Sequence, residues 1–150
     1  DRALGNRSIL ADPRKNDIKL KINKIVKYRE LFRPFAPAVL NESVETYFTE
    51  HQQSNFMEKT VKIKKSVRKY IPGVVHKDGT ARLQTVTKEN NYKFYKLIEE
   101  FNKITKIPMV INTSLNYKGD PICCSVEDAI KTFYLSGLDA IIINNYLLKK

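Results

Sequence analysis

The sequence predicts a mixed α/β fold, a single domain in which helices pack on one twisted mixed β-sheet. Helix-like and strand-like segments alternate along the 150 residues, and this alternation is typical of helices that cover a sheet. The length is that of one domain with a hydrophobic core. A charged fraction of 29% beside 42% hydrophobic residues is that of a soluble globular protein.

Four segments have helical patterns. Asp12-Pro13 has the composition of a helix start, and Ser125 and Asp128 form a capping-box pattern with Gly137 as a C-terminal cap. The segment Asn91 to Lys103 is the clearest helix, because its apolar residues recur every three or four positions. The predicted helices are Asn16 to Arg29, Val44 to Thr49, Asn91 to Lys103 and the segment from Ser125 onward.

The remaining apolar segments are predicted to be extended. Pro34 and Pro37 exclude a helix interior, because proline lacks the backbone N–H and fixes φ. A turn over Lys77 to Thr80 is predicted to join two strands as a hairpin. The predicted strands are Arg33 to Leu40, Phe56 to Lys65, Val74 to His76, Arg82 to Thr87, Met109 to Asn112 and Ala140 to Ile143.

The net charge of +11 indicates an anionic partner, although solvated helix and strand faces explain most of the lysines. Apolar runs stay far below the roughly 20 residues of a membrane span, so no membrane partner is expected. Cys123 and Cys124 are adjacent and are predicted to be free thiols in a reducing, cytoplasmic environment. His51 and His76 are far apart in sequence, and no metal site is predicted.

Small polar residues follow the strand at Val110, in the order Asn112, Ser114 and Asn116. Ligands of α/β proteins favour such strand ends. A cluster of cations is formed by Lys27, Arg29 and Arg33. A second group is the turn that contains His76, Asp78 and Thr80, which Arg82 follows. Arg7 follows a Leu-Gly-Asn turn. Arg and Lys bind phosphates, and small polar groups bind amides. A solvated helix end or a surface turn explains each cluster taken alone.

Four blocks give a more specific indication. RALGNRSILADPR, VKYRELFRPFAPAVL, HKDGTARLQTV and INTSLNYKGDPI resemble, in this order, the C-terminal domain of O-carbamoyltransferases of the NodU and antibiotic-carbamoylating kind. The chain also has the Lys-x-Arg and Ser-x-Asn signatures of such domains, as Lys27-Tyr28-Arg29 and Ser114-Leu115-Asn116. The resemblance extends from Arg2 to about Tyr146. It implies a YrdC-like twisted mixed sheet with packed helices, preceded in a longer chain by an actin-like ATPase-type N-terminal domain.

The resemblance also implies a reaction. Such a domain takes carbamoyl phosphate and ATP, with Mg2+ bound to the nucleotide rather than to the domain, and makes carbamoyl-adenylate. The N-terminal domain then passes the carbamoyl group to the hydroxyl of a sugar or antibiotic-like acceptor that is bound mainly elsewhere.

The residues that match the family motifs fall into three groups. The resemblance implies catalytic roles for Lys27, Arg33, Arg82 and Ser114. Substrate binding is expected from Arg2, Lys27, Arg33 and Arg82 around the phosphates, from Asn112 and Ser114 at the carbamoyl end, and from Arg29 and Asn116 in support. Arg7, His76, Asp78 and Thr80 are further candidates without an assigned role.

Two alternatives remain open at the level of the sequence. One is a threonylcarbamoyl-adenylate synthase-like domain for tRNA modification, although the GNRSILADPR and FRPFAP blocks count against it. The other is a non-catalytic basic RNA-binding module, which the charge favours. No aromatic RNA-recognition motif is present, so a nucleic-acid partner is not expected.

Overall fold

A five-stranded mixed sheet organises the fold in the computed structural model, which describes residues 3–28, 30, 32–50 and 52–150, apart from the side chain of residue 25. The strand order is β1-β5-β2-β4-β3, with only the β2–β4 pair parallel. A separate hairpin of β6 and β7 follows. The strands are β1 Ser8–Ala11, β2 Ala36–Leu40, β3 Lys59–Lys62, β4 Thr80–Val86, β5 Met109–Ser114, β6 Ala140–Ile143 and β7 Tyr146–Lys149.

Helices cover both faces of the sheet, because its central strands are apolar on both sides. One face, with Val39 and Ile111, packs against the segment that contains Ile18 and Ile22. The opposite face packs against Ile98 and its neighbours on the longest helix. The α-helices are α1 Ile18–Lys21, which continues as a π-helical segment Ile22–Val26, α2 Val44–Tyr47, α3 Tyr92–Thr105 and α4 Val126–Leu135. This arrangement confirms the predicted mixed sheet with packed helices.

The two C-terminal helices are confirmed with their N-terminal caps. The Asn91 side chain accepts a hydrogen bond from the backbone N–H of Phe94, at 3.1 Å, and caps α3. Ser125 and Asp128 form the predicted reciprocal capping box of α4. The prediction of a glycine cap at Gly137 is wrong, because α4 ends at Leu135 with the extended residue Ser136 as its C-cap, and Gly137 does not have the positive φ of a glycine cap.

The first helix is shorter than the sequence predicted. It begins at Ile18 rather than near Asp12, and its π-helical part ends at Val26. The Asp12 carboxylate instead accepts hydrogen bonds from the backbone and guanidinium of Arg14, which closes a local turn. Short polar side chains compete for backbone donors in this way, and they stabilise turns as readily as helix starts.

The predicted hairpin before β4 is wrong. Pro72–Val74 forms a 3₁₀ turn, and β4 pairs with β3 rather than with Val74 to His76. The backbone N–H of Gly79 donates to the His76 carbonyl, so this segment is a tight turn that leads into β4. Glycine is required there, because Gly79 has φ +79° and an added Cβ would lie 2.4 Å from the Arg68 guanidinium.

The other predicted strands are confirmed with shifted ends. β3 covers only part of the Phe56 to Lys65 segment, and β5 continues two residues beyond the predicted end at Asn112. β6 pairs with β7 outside the main sheet, and Ile141 packs there with Phe133 of α4. None of the helices in the described ranges has the length and apolar composition that a membrane span needs.

The capping box predicts an acid-sensitive contribution to stability. Backbone N–H groups of Cys124 and Ser125 donate to the Asp128 carboxylate and lower its pKa from the ordinary value of 3.8. A lowered folded-state pKa stabilises the fold above that ordinary value, and the contribution is lost as the pH falls through the folded-state pKa. Asp128→Asn is expected to lower the thermal unfolding midpoint by a few degrees at pH 7 and by less near pH 3.

Glu127→Gln is the matched control, because Glu127 lies in the same first turn without closing the capping box. Unfolding midpoints measured at both pH values test the expectation. Equal effects of the two substitutions at pH 7 would show that the charge at the helix start matters and the capping box does not.

Candidate functional site

A polar cleft of about 550 Å³ opens where β5 ends. One wall comes from the chain that follows the π-helical segment, and the other comes from the chain that leaves β5. We call it the lysine cleft, and its walls include Lys27, Tyr28, Arg33, Ser114, Asn116 and Tyr117. Lys27 and Tyr28 of the first signature therefore meet Ser114 and Asn116 of the second at one end of the sheet.

Lys27 is the central residue of the lysine cleft. Only 6% of it is exposed, and its ammonium donates to the Ser114 carbonyl, to Ser114 Oγ at 3.3 Å and to Asn116 Oδ1 at 2.6 Å. Ser114 Oγ in turn donates to Asn116 Oδ1, at 2.6 Å. Burying an ammonium is costly unless its donors are satisfied. These side chains therefore form one connected network that fixes the charge in place.

The same amide of Asn116 holds the next loop. Its Nδ2 donates to the Asp120 carbonyl at 2.9 Å and to the Tyr117 carbonyl at 3.2 Å. The Tyr117 ring lies against the Tyr28 ring with a centroid distance of 5.5 Å. Tyr28 has φ +46°, a backbone conformation that costs energy for a residue with a Cβ. Such strain at the cleft wall is typical of a functional site.

Arg33 lies at the rim of the lysine cleft. Its guanidinium contacts the Glu30 carboxylate at 3.2 Å, and both side chains are about half exposed. An exposed pair of this kind is weak, because water screens it. The Arg33 fork can therefore exchange Glu30 for a phosphate group at little cost.

Asn112 lies on β5 and Arg82 lies on β4, the two strands that flank β2. Asn112 pairs with Ala36, and the β2–β4 register extended by two residues puts Arg82 beside Ala36 as well. The two residues therefore share a face across a small side chain, about 10 Å apart. Arg82 is exposed, whereas Asn112 is buried and donates to Gln84 Oε1 and to the Ala3 carbonyl. Asn112 Oδ1 has no hydrogen-bond partner among the described residues.

The further candidates fall in two places. Arg7 donates to the Cys123 carbonyl at 3.0 Å and contacts Cys124 Sγ at 3.5 Å, so it ties the chain before β1 to the start of α4. Thr80 begins β4, His76 and Asp78 lie in the turn before it, and both of these line a second cleft. Arg2 and Arg29 lie outside the described residues, and their predicted roles stay predictions.

The second cleft, of about 650 Å³, is called the histidine cleft, and its walls include Lys19, Phe32, Pro34, His76, Lys77 and Asp78. Burial lowers the pKa of His76; Asp78 opposes this shift, while Lys19 and Arg82 add to it. The imidazole is therefore neutral at pH 7. Phe32 is 73% exposed.

Sequence reasoning missed Lys19, Phe32 and Gln84. Lys19 was grouped with solvated helix lysines, yet it is half-buried and donates to the Val75 carbonyl. Gln84 was one polar residue of a predicted strand, and only the strand register shows that it faces Asn112. A polar residue at an inward position of β4 was the one available signal.

The described residues contain no group of three or more His, Cys, Asp or Glu side chains that could hold a metal ion. The predicted site residues that meet at the lysine cleft are cations, a hydroxyl and an amide, and the Glu30 carboxylate lies at its rim. This composition suits the binding of a phosphorylated, amide-containing ligand.

Comparison with known proteins identifies the family. The model of the carbamoyltransferase C-terminus matches residues 1–150, and the chain therefore belongs to this family. This confirms the resemblance to carbamoyltransferase C-terminal domains of the NodU kind that the four sequence blocks indicated.

Particular relatives are nodulation proteins. The chain is 47% identical to nodulation protein NolNO of Sinorhizobium fredii over 152 residues, which cover 99% of the chain and 22% of the relative. It is 43% identical to nodulation protein NolO of Bradyrhizobium diazoefficiens, with 99% of the chain and 28% of the relative covered. The chain thus spans between a fifth and three-tenths of the length of these relatives, and it matches their C-terminal part.

The network around Asn116 predicts a stability effect. Asn116→Ala removes the acceptor shared by Lys27 and Ser114 and both donors to the next loop, so it is expected to lower the free energy of unfolding by about 1–2 kcal/mol. Hydrogen exchange of the Asp120 amide is expected to accelerate. Chemical denaturation and amide exchange measure the two effects.

Asn102→Ala is the matched control, because Asn102 lies on α3 and outside the lysine cleft. If both substitutions left stability and exchange alike, Asn116 would not hold the cleft wall.

Proposed function

We propose that this chain binds carbamoyl phosphate and ATP and forms carbamoyl-adenylate, which the rest of a longer protein uses to carbamoylate a hydroxyl of a sugar or antibiotic-like acceptor. Membership of the carbamoyltransferase family supports the class of reaction. The observation that supports binding in this domain is the buried Lys27 ammonium, held by Ser114 and Asn116 beside an open polar cleft. Family membership also favours this function over the threonylcarbamoyl-adenylate and RNA-binding alternatives.

The main physical obstacle to the reaction is charge repulsion, because both substrates are anions. A fixed cation lowers this repulsion most when it does not need to reorganise as the ligand arrives. The protein oxygens around Lys27 hold its ammonium in position before any ligand binds. Arg33 at the rim adds a forked donor that suits a phosphate.

Ser114 and Asn112 are proposed to hold the carbamoyl end. The hydroxyl of Ser114 lies next to the fixed ammonium, so it can bind a small amide beside a bound phosphate. Asn112 Oδ1 is a buried acceptor without a partner among the described residues, and a carbamoyl NH2 group is a donor of the kind it lacks. The Asn112 amide is covered by Ala3, so this contact requires the segment before β1 to move.

The proposed steps conserve atoms and charge. Water cleaves carbamoyl phosphate to carbamate and hydrogen phosphate, and one proton is released to solvent. A carbamate oxygen then attacks the α-phosphorus of ATP, and the bond to pyrophosphate breaks with its electron pair on the leaving group. Mg2+ enters with ATP and is ligated mainly by the phosphates, and Arg82 and Arg33 are proposed to stabilise the charge that builds up during transfer.

Calorimetric titration of carbamoyl phosphate tests this proposal. Saturable binding to the parent chain is expected, with the affinity lowered about tenfold in Ser114→Ala and by more in Lys27→Met, because charged hydrogen bonds are the stronger ones. Lys24→Met is the matched control, since Lys24 is an exposed lysine three residues earlier.

Thermal unfolding of each variant shows whether it remains folded. Equal binding by the parent and a folded Lys27→Met variant would contradict the proposal, as would the absence of binding in the complete longer protein.

A further inference from the structure

A hydrogen-bond relay determines the tautomer of His76. The Thr80 hydroxyl lies 2.7 Å from Asp78 Oδ1 and 3.2 Å from His76 Nδ1. Asp78 is ionised, since its hydrogen bonds from Thr80 lower its pKa, and an ionised carboxylate only accepts. The single hydroxyl proton of Thr80 therefore goes to Asp78, and Nδ1 of the ring must donate to Thr80. In the neutral ring, Nε2 is then unprotonated and is a hydrogen-bond acceptor.

Nε2 of His76 has no use within the described part of the chain. The atom is buried and lacks a hydrogen-bond partner there. A buried acceptor without a partner is costly and rare in folded proteins. The ring nevertheless lines the histidine cleft. This combination indicates a partner that binds from outside the chain.

The groups around His76 limit the chemistry of that partner. Lys19 and Lys77 line the same cleft, and Arg82 lies two residues beyond Thr80 on the same side of β4, roughly 7 Å along the strand. Among the described residues that line the cleft, the one carboxylate is that of Asp78, and it accepts a hydrogen bond from Thr80. A cationic cleft favours an anion, and a neutral acceptor inside it favours an N–H or O–H donor on that anion.

The histidine cleft adjoins the lysine cleft. Extended by two residues, the β2–β5 register puts Pro34 beside Ser114, and extended by four residues, the β2–β4 register puts Pro34 beside Thr80. Ser114 and Thr80 are thus about two strand spacings, or roughly 10 Å, apart. Consecutive residues of one segment line the two clefts, because Arg33 lines the lysine cleft while Phe32 and Pro34 line the histidine cleft.

We propose that His76 Nε2 accepts a hydrogen bond from an N–H or O–H group of the phosphorylated ligand, so that the relay through Thr80 to Asp78 selects ligands that have this donor. The donor is either the amide of carbamoyl phosphate or a ribose hydroxyl of the nucleotide. The inference rests on the proposed function but assigns a role to a residue which that function leaves without one. Nε2 is covered in this structure, so a side chain of the cleft wall must move before this contact forms.

Two substitutions separate the nitrogens of the ring. His76→Gln keeps an acceptor near the position of Nε2, whereas His76→Asn keeps an amide only near Nδ1. Calorimetry compares carbamoyl phosphate with acetyl phosphate, which has a methyl group in place of the NH2 group, and AMP with its 2′-deoxy and 3′-deoxy analogues.

The expected result is an affinity about tenfold lower in His76→Asn than in His76→Gln, and only for the ligand that carries the donor. The pair of ligands that shows this difference identifies the source of the donor. Equal losses in both variants, or equal losses for a ligand without the donor, would overturn the inference.

Nitrogen NMR of the parent chain tests the same inference without any substitution. Nε2 is expected to be unprotonated, and its resonance is expected to shift when carbamoyl phosphate or AMP saturates the chain. A proton on Nε2, or no shift at saturation, would contradict the inference. Suppose that the parent chain binds its ligands, that Lys27→Met abolishes this binding, and that both His76 variants bind like the parent; the inference about His76 then fails and the proposed function stands. If the parent chain binds neither ligand, the inference and the proposed function both fail.

Discussion

The architecture of the site depends on the burial of one ammonium group. Lys27 can stay charged at 6% exposure only if oxygen atoms surround it, and Ser114 and Asn116 supply them. This requirement fixes where the chain leaves the π-helical segment, where β5 ends and how the loop after Asn116 turns. The same oxygen atoms that compensate the energetic cost of burying the charge also fix the position of the ammonium before a ligand arrives.

The sheet topology then collects the remaining groups around that cation. β5 ends at the edge where β2 and β4 begin, because β2 is antiparallel to β5 and parallel to β4. Side chains at the end of one strand and at the start of two others therefore lie within two strand spacings of each other. Ala36, between Arg82 and Asn112, is a small buried residue. Long segments of sequence separate these residues, and only the strand order brings them together.

The sequence allowed the prediction of what is local. The periodicity of α3 and the capping box at Ser125 depend on residues a few positions apart, and both are confirmed. The false hairpin at Val74 arose because a glycine turn after two valines resembles a strand connection, whereas pairing depends on the distant β3. For the same reason, motif matches indicated Lys27, Ser114 and Asn116, but only the folded structure reveals that Lys19 is half-buried against Val75 and that Gln84 pairs with Asn112.

The central claim is that the fixed Lys27 ammonium creates the substrate site. The most direct test is a crystal structure of the chain from crystals soaked with carbamoyl phosphate. Electron density for the ligand is expected in the lysine cleft, with the phosphate in reach of Arg33 and the carbamoyl group next to Ser114. If the ligand instead occupied another surface fully and left no density in the lysine cleft, this claim would be contradicted.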